Sequence, residues 1–218
     1  MAGNAGLLKH ASNVPGSSLA IEEVFRDAGF PENVFRTLLI GSKQVQAVIE
    51  NPRVVAATLT GSTPAGQAVA ATAGRALKKT VLELGGSDPY IVLEDADLDL
   101  AVETCVTSRL INSGQSCIAA KRFIVVEPVL EEFEKRFVER MRAAKMGDPL
   151  DPETAVGPQA REDLRDELHQ QVAVSIEKGA RLLLGGIVPD GPGAFYPPTV
   201  LAGVSKGMPA YDEELFGP

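Results

Sequence analysis

Short apolar runs alternate with helix-like stretches along this chain. The run Val54-Val55-Ala56-Ala57-Thr58-Leu59 shows no polar alternation, the pattern of a strand covered on both faces, as in parallel sheets. Leu19, Ile21, Val24 and Phe25 recur at helical spacing and predict a helix over 17–28, stopped by Gly29 and Pro31. Further strands are expected at 34–40 and 80–84, and helices at 42–50 and 67–77, with a turn at 61–66 between the run and the second helix. Residues 3–8 read as the approach to another strand. This strand–helix–strand order implies parallel pairing with right-handed crossovers.

Gly85-Gly86-Ser87-Asp88-Pro89 breaks the pattern and sets an expected domain boundary, with one part at 1–84 and the other at 85–218. The alternation then resumes. Strands are expected at 90–93, 122–126 and 182–184, and helices at 97–111, 129–143 and 160–178. The helix over 129–143 has apolar positions Leu130, Phe133, Phe137 and Met141, and the one over 160–178 is largely polar. Residues 147–152 and 188–198 read as loops.

The 218 residues carry a net charge of −8, which disfavours nucleic acid and anionic membrane surfaces as partners. No stretch approaches the roughly 20 apolar residues of a membrane span. The N-terminus lacks the pattern of a secretory signal. Two cysteines make no disulfide framework, so a reducing cytoplasm is the expected location. No Cys/His cluster has ligand spacing, and no metal site is expected. Two features suggest an internal or truncated piece: residues 3–8 lead straight into a strand, and Glu213-Glu214-Leu215-Phe216-Gly217-Pro218 stops on a turn.

Chemistry concentrates at Cys117, in Asn112-Ser113-Gly114-Gln115-Ser116-Cys117. A thiol is partly ionised near neutral pH and intrinsically nucleophilic; equally, a cysteine can be a small buried hydrophobe. Cys105, within a helix-like stretch, reads as the latter. Glu83 ends an apolar run in Leu82-Glu83-Leu84-Gly85-Gly86, where a carboxylate could activate water. The turn Thr60-Gly61-Ser62-Thr63-Pro64-Ala65-Gly66 opens a helix whose N-terminal N–H groups suit a phosphate, or is a plain connection. Neither His10 nor His169 makes a convincing base for a Cys–His hydrolase; His169 reads as a solvated surface residue.

Taken together, the Gly114-Gln115-Ser116-Cys117 motif, the Leu82 to Gly86 motif, the Thr60-Gly61-Ser62 turn and the Glu213 to Pro218 segment resemble the aldehyde dehydrogenase superfamily, in its order and across essentially the whole chain. Leu7-Leu8-Lys9-His10-Ala11, Ala119-Ala120-Lys121-Arg122-Phe123 and Arg161 to Leu168 look like succinate-semialdehyde dehydrogenases. The resemblance implies an α/β parallel-sheet fold, present in part. Residues 1–84 would be a Rossmann-like cofactor half-domain, and 85–218 an α/β catalytic domain incomplete at its end.

It further implies NADP- or NAD-dependent oxidation of an aldehyde, foremost succinate semialdehyde, in a homo-oligomeric parent. Cys117 would attack the carbonyl and its N–H would supply half an oxyanion hole, while Glu83, its pKa raised by burial, would activate the hydrolytic water. Lys9 would hold the adenine ribose, and Gly61 and Ser62 the pyrophosphate. Glu214 would hold the nicotinamide ribose, with Leu84 and Phe216 also at the cofactor. Ser12 stands where many NAD-preferring members carry Glu, which would repel a 2′-phosphate. Two departures bear on this. The chain has no Trp, hence no Pro-Trp-Asn motif. Ile111, and not Arg, precedes Asn112; Arg109 lies two residues earlier on another side of the helix. Another aldehyde substrate, or an inactive cofactor-binding or subunit-interaction piece, are the alternatives.

Overall fold

Proline places the starts of several helices in this protein. It fixes φ near the helical value and lacks the N–H that a first turn leaves unpaired. Pro15 opens α1 (Pro15–Asp27), Pro64 lies at the start of α3 (Thr63–Arg75), and Pro128 at the start of α5 (Glu127–Arg142). The computed structural model describes residues 3–218, and the chain divides into two compact units at Leu84/Gly85.

In the first unit, β1 (Gly6–Leu8) pairs in parallel with β2 (Phe35–Thr37), and α1 connects them. The expected strand over 34–40 is thus confined to three residues. Its ladder is short because β1 is short. Contacts from α1 hold it: Thr37 N–H donates to Glu22 Oε2 at 2.6 Å, Thr37 Oγ1 donates to the Ser18 carbonyl at 2.7 Å, and Phe25 stacks on Phe35 at 4.6 Å. The helix expected here is present, with Leu19, Ile21 and Val24 exposed and Ser18 buried.

A 3₁₀ turn (Ser42–Gln44) leads into α2 (Val45–Glu50). The apolar run becomes β3 (Ala56–Thr60), parallel to β4 (Lys79–Glu83). Helix α3 begins at Thr63, four residues earlier than expected, because Pro64 is compatible with a first turn where the sequence reading extended the loop to Gly66. Gly66 is buried against Leu84, in space a Cβ would need. Lys78 caps α2 from afar, donating to the carbonyls of Ile49 and Asn51.

The second unit is built around α4 (Leu98–Leu110) and α5. Asp97 caps α4, accepting from the N–H groups of Asp99 and Leu100 at 3.0 and 3.1 Å. Val102, Cys105, Val106 and Arg109 follow the i, i+3, i+4, i+7 spacing of one buried face. Phe133, Phe137 and Met141 form the facing stripe of α5, whereas Leu130, another of its apolar positions, is exposed in its first turn. Strand β5 (Pro89–Val92) pairs in parallel with β6 (Arg122–Val125), which adds Phe123 to the same core.

A second cluster gathers on α6 (Glu162–Glu177), where Leu168 and Val172 enclose the fully buried Tyr196. Burial of Tyr196 pushes its hydroxyl up to about 12. Strand β7 (Arg181–Leu184) pairs antiparallel with β8 (Val200–Ala202), and α7 (Pro209–Asp212) precedes the terminal segment. Neither β8 nor α7 is evident in the sequence, both being too short for a periodic signal. The pairing agrees with the parallel α/β expectation for three of the four strand pairs; β7 and β8 instead pair antiparallel, joined by residues 185–199, which carry no helix.

Candidate functional site

The thiol-bearing turn begins where α4 ends. Ile111–Gly114 form a 3₁₀ turn in which Asn112 (φ 50°), Ser113 (φ 54°) and Gly114 (φ 73°) are successively left-handed. For the two non-glycine residues such backbone costs about 1–2 kcal/mol each and needs external support. The loop at 157–160 supplies it. Gly157 N–H donates to Ser113 Oγ at 2.9 Å, and Ala160 N–H donates to Gln115 Oε1 at 2.8 Å. Asn112 Nδ2 donates to the Gln115 carbonyl at 3.0 Å.

The turn lifts Cys117 onto an exposed knuckle. Gly114 before it and Ala119-Ala120 after it are buried, while Cys117 and Ile118 face out. Cys105 is the opposite case: burial in the α4–α5 core pushes its thiol up to about 11, which keeps it protonated and inert.

The terminal segment seats against this turn. A Cβ at Gly114 would collide with the Gly217 backbone, and one at Gly217 would collide with Leu168 and Gln159. Leu215 packs on the Tyr196 cluster. Arg109, 7% exposed, donates to the carbonyls of Ala120 at 3.1 Å and Leu215 at 3.0 Å. Burial brings its guanidinium down to about 10, opposed by the charge of Glu214. It is therefore engaged inside the fold, while Ile111 is exposed.

Lys121, with a side chain 1% exposed, donates to the Ser116 and Cys117 carbonyls at 3.1 and 2.8 Å and lies 2.9 Å from Glu214 Oε1. That approach is an ion pair without hydrogen-bond alignment, since Glu214 Oε1 has no hydrogen bond. The other Glu214 oxygen occupies the space a Cβ on Gly85 would fill. Phe216 is exposed beside it in sequence.

The remaining expected residues lie in the first unit, mostly at the C-terminal ends of parallel strands, where open α/β sheets bind ligands. Lys9, half-buried, directly follows β1, and Ser12 is exposed shortly beyond. Gly61 and Ser62 follow β3; Ser62 is the N-cap of α3 and its hydroxyl makes no capping bond. Glu83 ends β4, and its carbonyl accepts from Gly61 N–H at 3.0 Å, which joins two of the expected residues. Its side chain is exposed, contrary to the expected burial, because it is the outward-alternating last residue of its strand. Leu84 is half-buried against Gly66.

His10 is exposed, its Nδ1 accepting from Ala11 N–H. His169 is half-buried, 3.2 Å from the Tyr196 hydroxyl, which corrects its reading as a solvated residue: α6 turns that face toward the cluster. The sequence reading passed over Lys121 and Gln159 as site residues. Gln159 is buried with both ends of its amide unbonded. The available signal was a Lys directly after two small residues. Among the described residues no three His, Cys, Asp or Glu side chains could hold a metal, and no helix is long and apolar enough to cross a membrane.

The chain is 58% identical over all of its 218 residues to a succinate-semialdehyde dehydrogenase [NADP(+)] of Mycobacterium avium, covering 46% of that protein. A Mycobacterium leprae protein of the same description is 56% identical, with 48% covered. The chain thus spans about half the length of the curated relatives it matches. A crystal structure of succinic semialdehyde dehydrogenase from Streptococcus pyogenes with NADP+ superimposes with a TM-score of 0.95 at 42% identity, covering 99% of this chain and 48% of that one. The Aldehyde dehydrogenase family matches residues 1–218, and the chain belongs to that family.

Proposed function

We propose that this chain carries the nucleophile and part of the cofactor site of an NADP-linked aldehyde dehydrogenase acting on succinate semialdehyde. The observation that supports it best is the exposed Cys117 on a strained turn braced from a second loop. Backbone strain held in place by surrounding bonds is typical of functional turns.

In this reading the Cys117 thiolate attacks the aldehyde carbonyl carbon and forms a thiohemiacetal. The Cys117 N–H steadies the developing oxyanion. NADP, held by the residues named below, would supply the hydride acceptor for this carbon. Cys117 then holds the acyl group as a thioester. Glu83 takes a proton from water, which adds to the thioester; the carboxylate departs and the thiol is restored.

The residues present suit the cofactor. Lys9 offers a cation for the adenine ribose and its phosphate, Ser12 presents no carboxylate to repel it, and Gly61 and Ser62 open α3, whose first-turn N–H groups suit a pyrophosphate. Glu214 and Phe216 would face the nicotinamide side of the cofactor, and Leu84 would also belong to the cofactor site. The mycobacterial relatives are described as NADP(+) enzymes.

The test is reduction of NADP+ by the chain with succinate semialdehyde, against Cys117→Ala. Reduction that disappears in the variant supports the proposal, with a loss of at least about a thousandfold, since the variant lacks the nucleophile. A folded chain that binds NADP+ and reduces none would overturn it in favour of a cofactor-binding piece without turnover.

A further inference from the structure

We propose that Lys121 is a positioning residue that locks the thiol-bearing turn to the Glu214 carboxylate. This rests on the assignment of Cys117 as nucleophile and of Glu214 as a cofactor ligand. The Lys121 ammonium faces three oxygens here: it donates to the Ser116 carbonyl at 3.1 Å and to the Cys117 carbonyl at 2.8 Å, and it forms an ion pair with Glu214 Oε1 at 2.9 Å. Two belong to the turn and one to the terminal segment. The side chain is 1% exposed. Taking an ammonium out of water is costly, so a neutral donor would fix a turn with less loss. The charge has a reason only if Glu214 is part of the arrangement.

The surroundings agree. Gly85 leaves room for the Glu214 carboxylate that any side chain would fill. The backbone of the terminal segment is fixed by other means: Arg109 holds the Leu215 carbonyl, Leu215 packs on the Tyr196 cluster, and Gln171 Nε2 donates to Glu213 Oε2 and to the Glu214 carbonyl. Lys121 is therefore not needed to seat the segment. It sets where the Glu214 carboxylate points and how the Ser116 and Cys117 peptides are oriented. The charged groups near it are Glu214 from the terminal segment and Arg109 from α4. Arg122, next along β6, turns elsewhere, with Nε on the Ser87 carbonyl and its guanidinium over the Tyr211 ring.

Without Lys121, the Glu214 charge lies uncompensated beside the turn, and the Cys117 thiol ionises at higher pH. The experiment is the pH profile of Cys117 alkylation by iodoacetamide in the full chain, followed on the Cys117 peptide by mass spectrometry. Lys121→Met should move the midpoint up by on the order of one pH unit. Lys121→Arg should restore it, and adding Glu214→Gln to Lys121→Met should bring it back toward the parent value. A Lys121→Met profile superimposed on the parent's, with the fold intact by circular dichroism, would overturn the proposal, because a purely structural lysine leaves the midpoint unmoved. Should Lys121→Met not fold, Glu214→Gln alone reads the same pair from its other side. A lowered midpoint supports the proposal and an unchanged one overturns it. Alkylation needs neither aldehyde nor cofactor, so failure of the dehydrogenase reading would show in the turnover assay and not here.

Discussion

The unit ending at Leu84 and the unit starting at Gly85 bury their residues in different ways. In the first, Ile49, Ala73, Ser18 and Thr72 are buried, and none is large and aromatic. Strand β4 leaves Val81 60% exposed, although parallel pairs are ordinarily covered on both faces. Hydrogen bonds and short-range packing shape it: Glu22 and Ser18 to Thr37, and Lys78 to the end of α2. In the second, aromatic and aliphatic side chains from α4, α5, β5 and β6 close on one another, and Tyr196 anchors a second cluster. The same strand–helix alternation thus yields a unit held by bonds at element ends and a unit held by its interior. The thiol-bearing turn belongs to the second kind, where the surrounding core can support a strained backbone.

Three substitutions sharpen this contrast or break it, each measured by denaturant unfolding, with hydrogen exchange to localise the loss. Phe137→Ala removes the ring that contacts both Phe123 and Phe133, and should cost about 3–5 kcal/mol, with protection lost across α4 and α5. Asp97→Ala removes the two N-cap bonds of α4 and should cost about 1 kcal/mol, read first as faster exchange at Asp99 and Leu100. Val81→Thr, on the exposed face of β4, should stay within about 0.5 kcal/mol. Were Val81→Thr to approach Phe137→Ala in cost, the first unit would have an interior after all, and the comparison would collapse.

The chain's elements were legible wherever periodicity extended over enough residues. Helices α4, α5 and α6 and strands β3 to β6 lie close to their expected positions, because a buried face imposes spacing that the sequence must carry. Strand β8 and helix α7 were not legible, since three or four residues cannot display a period. The apolar spacing of α1 announced its helix but not whether anything covers it: Leu19, Ile21 and Val24 are exposed.

At the site, residue types pointed to Cys117, and the motif order pointed to the family. Neither indicated that Asn112 and Ser113 would be left-handed, since nothing in those residue types forces φ above zero. Its helix-like surroundings did mark Cys105 as a core residue, and its burial agrees with that reading, while Cys117 is exposed. Sequence by itself determined the alternation of elements, the chemistry available at each position and membership of the family, because these depend on local pattern and motif order. Tertiary structure alone decided that Lys121 would meet Glu214, that Arg109 would be spent on backbone carbonyls, and that Gly114 would give way to Gly217. The contacts of Lys121 with Glu214, of Arg109 with Leu215 and of Gly114 with Gly217 join residues far apart in sequence, 106 positions in the case of Arg109 and Leu215, and only the folded chain brings such separations to a few ångströms.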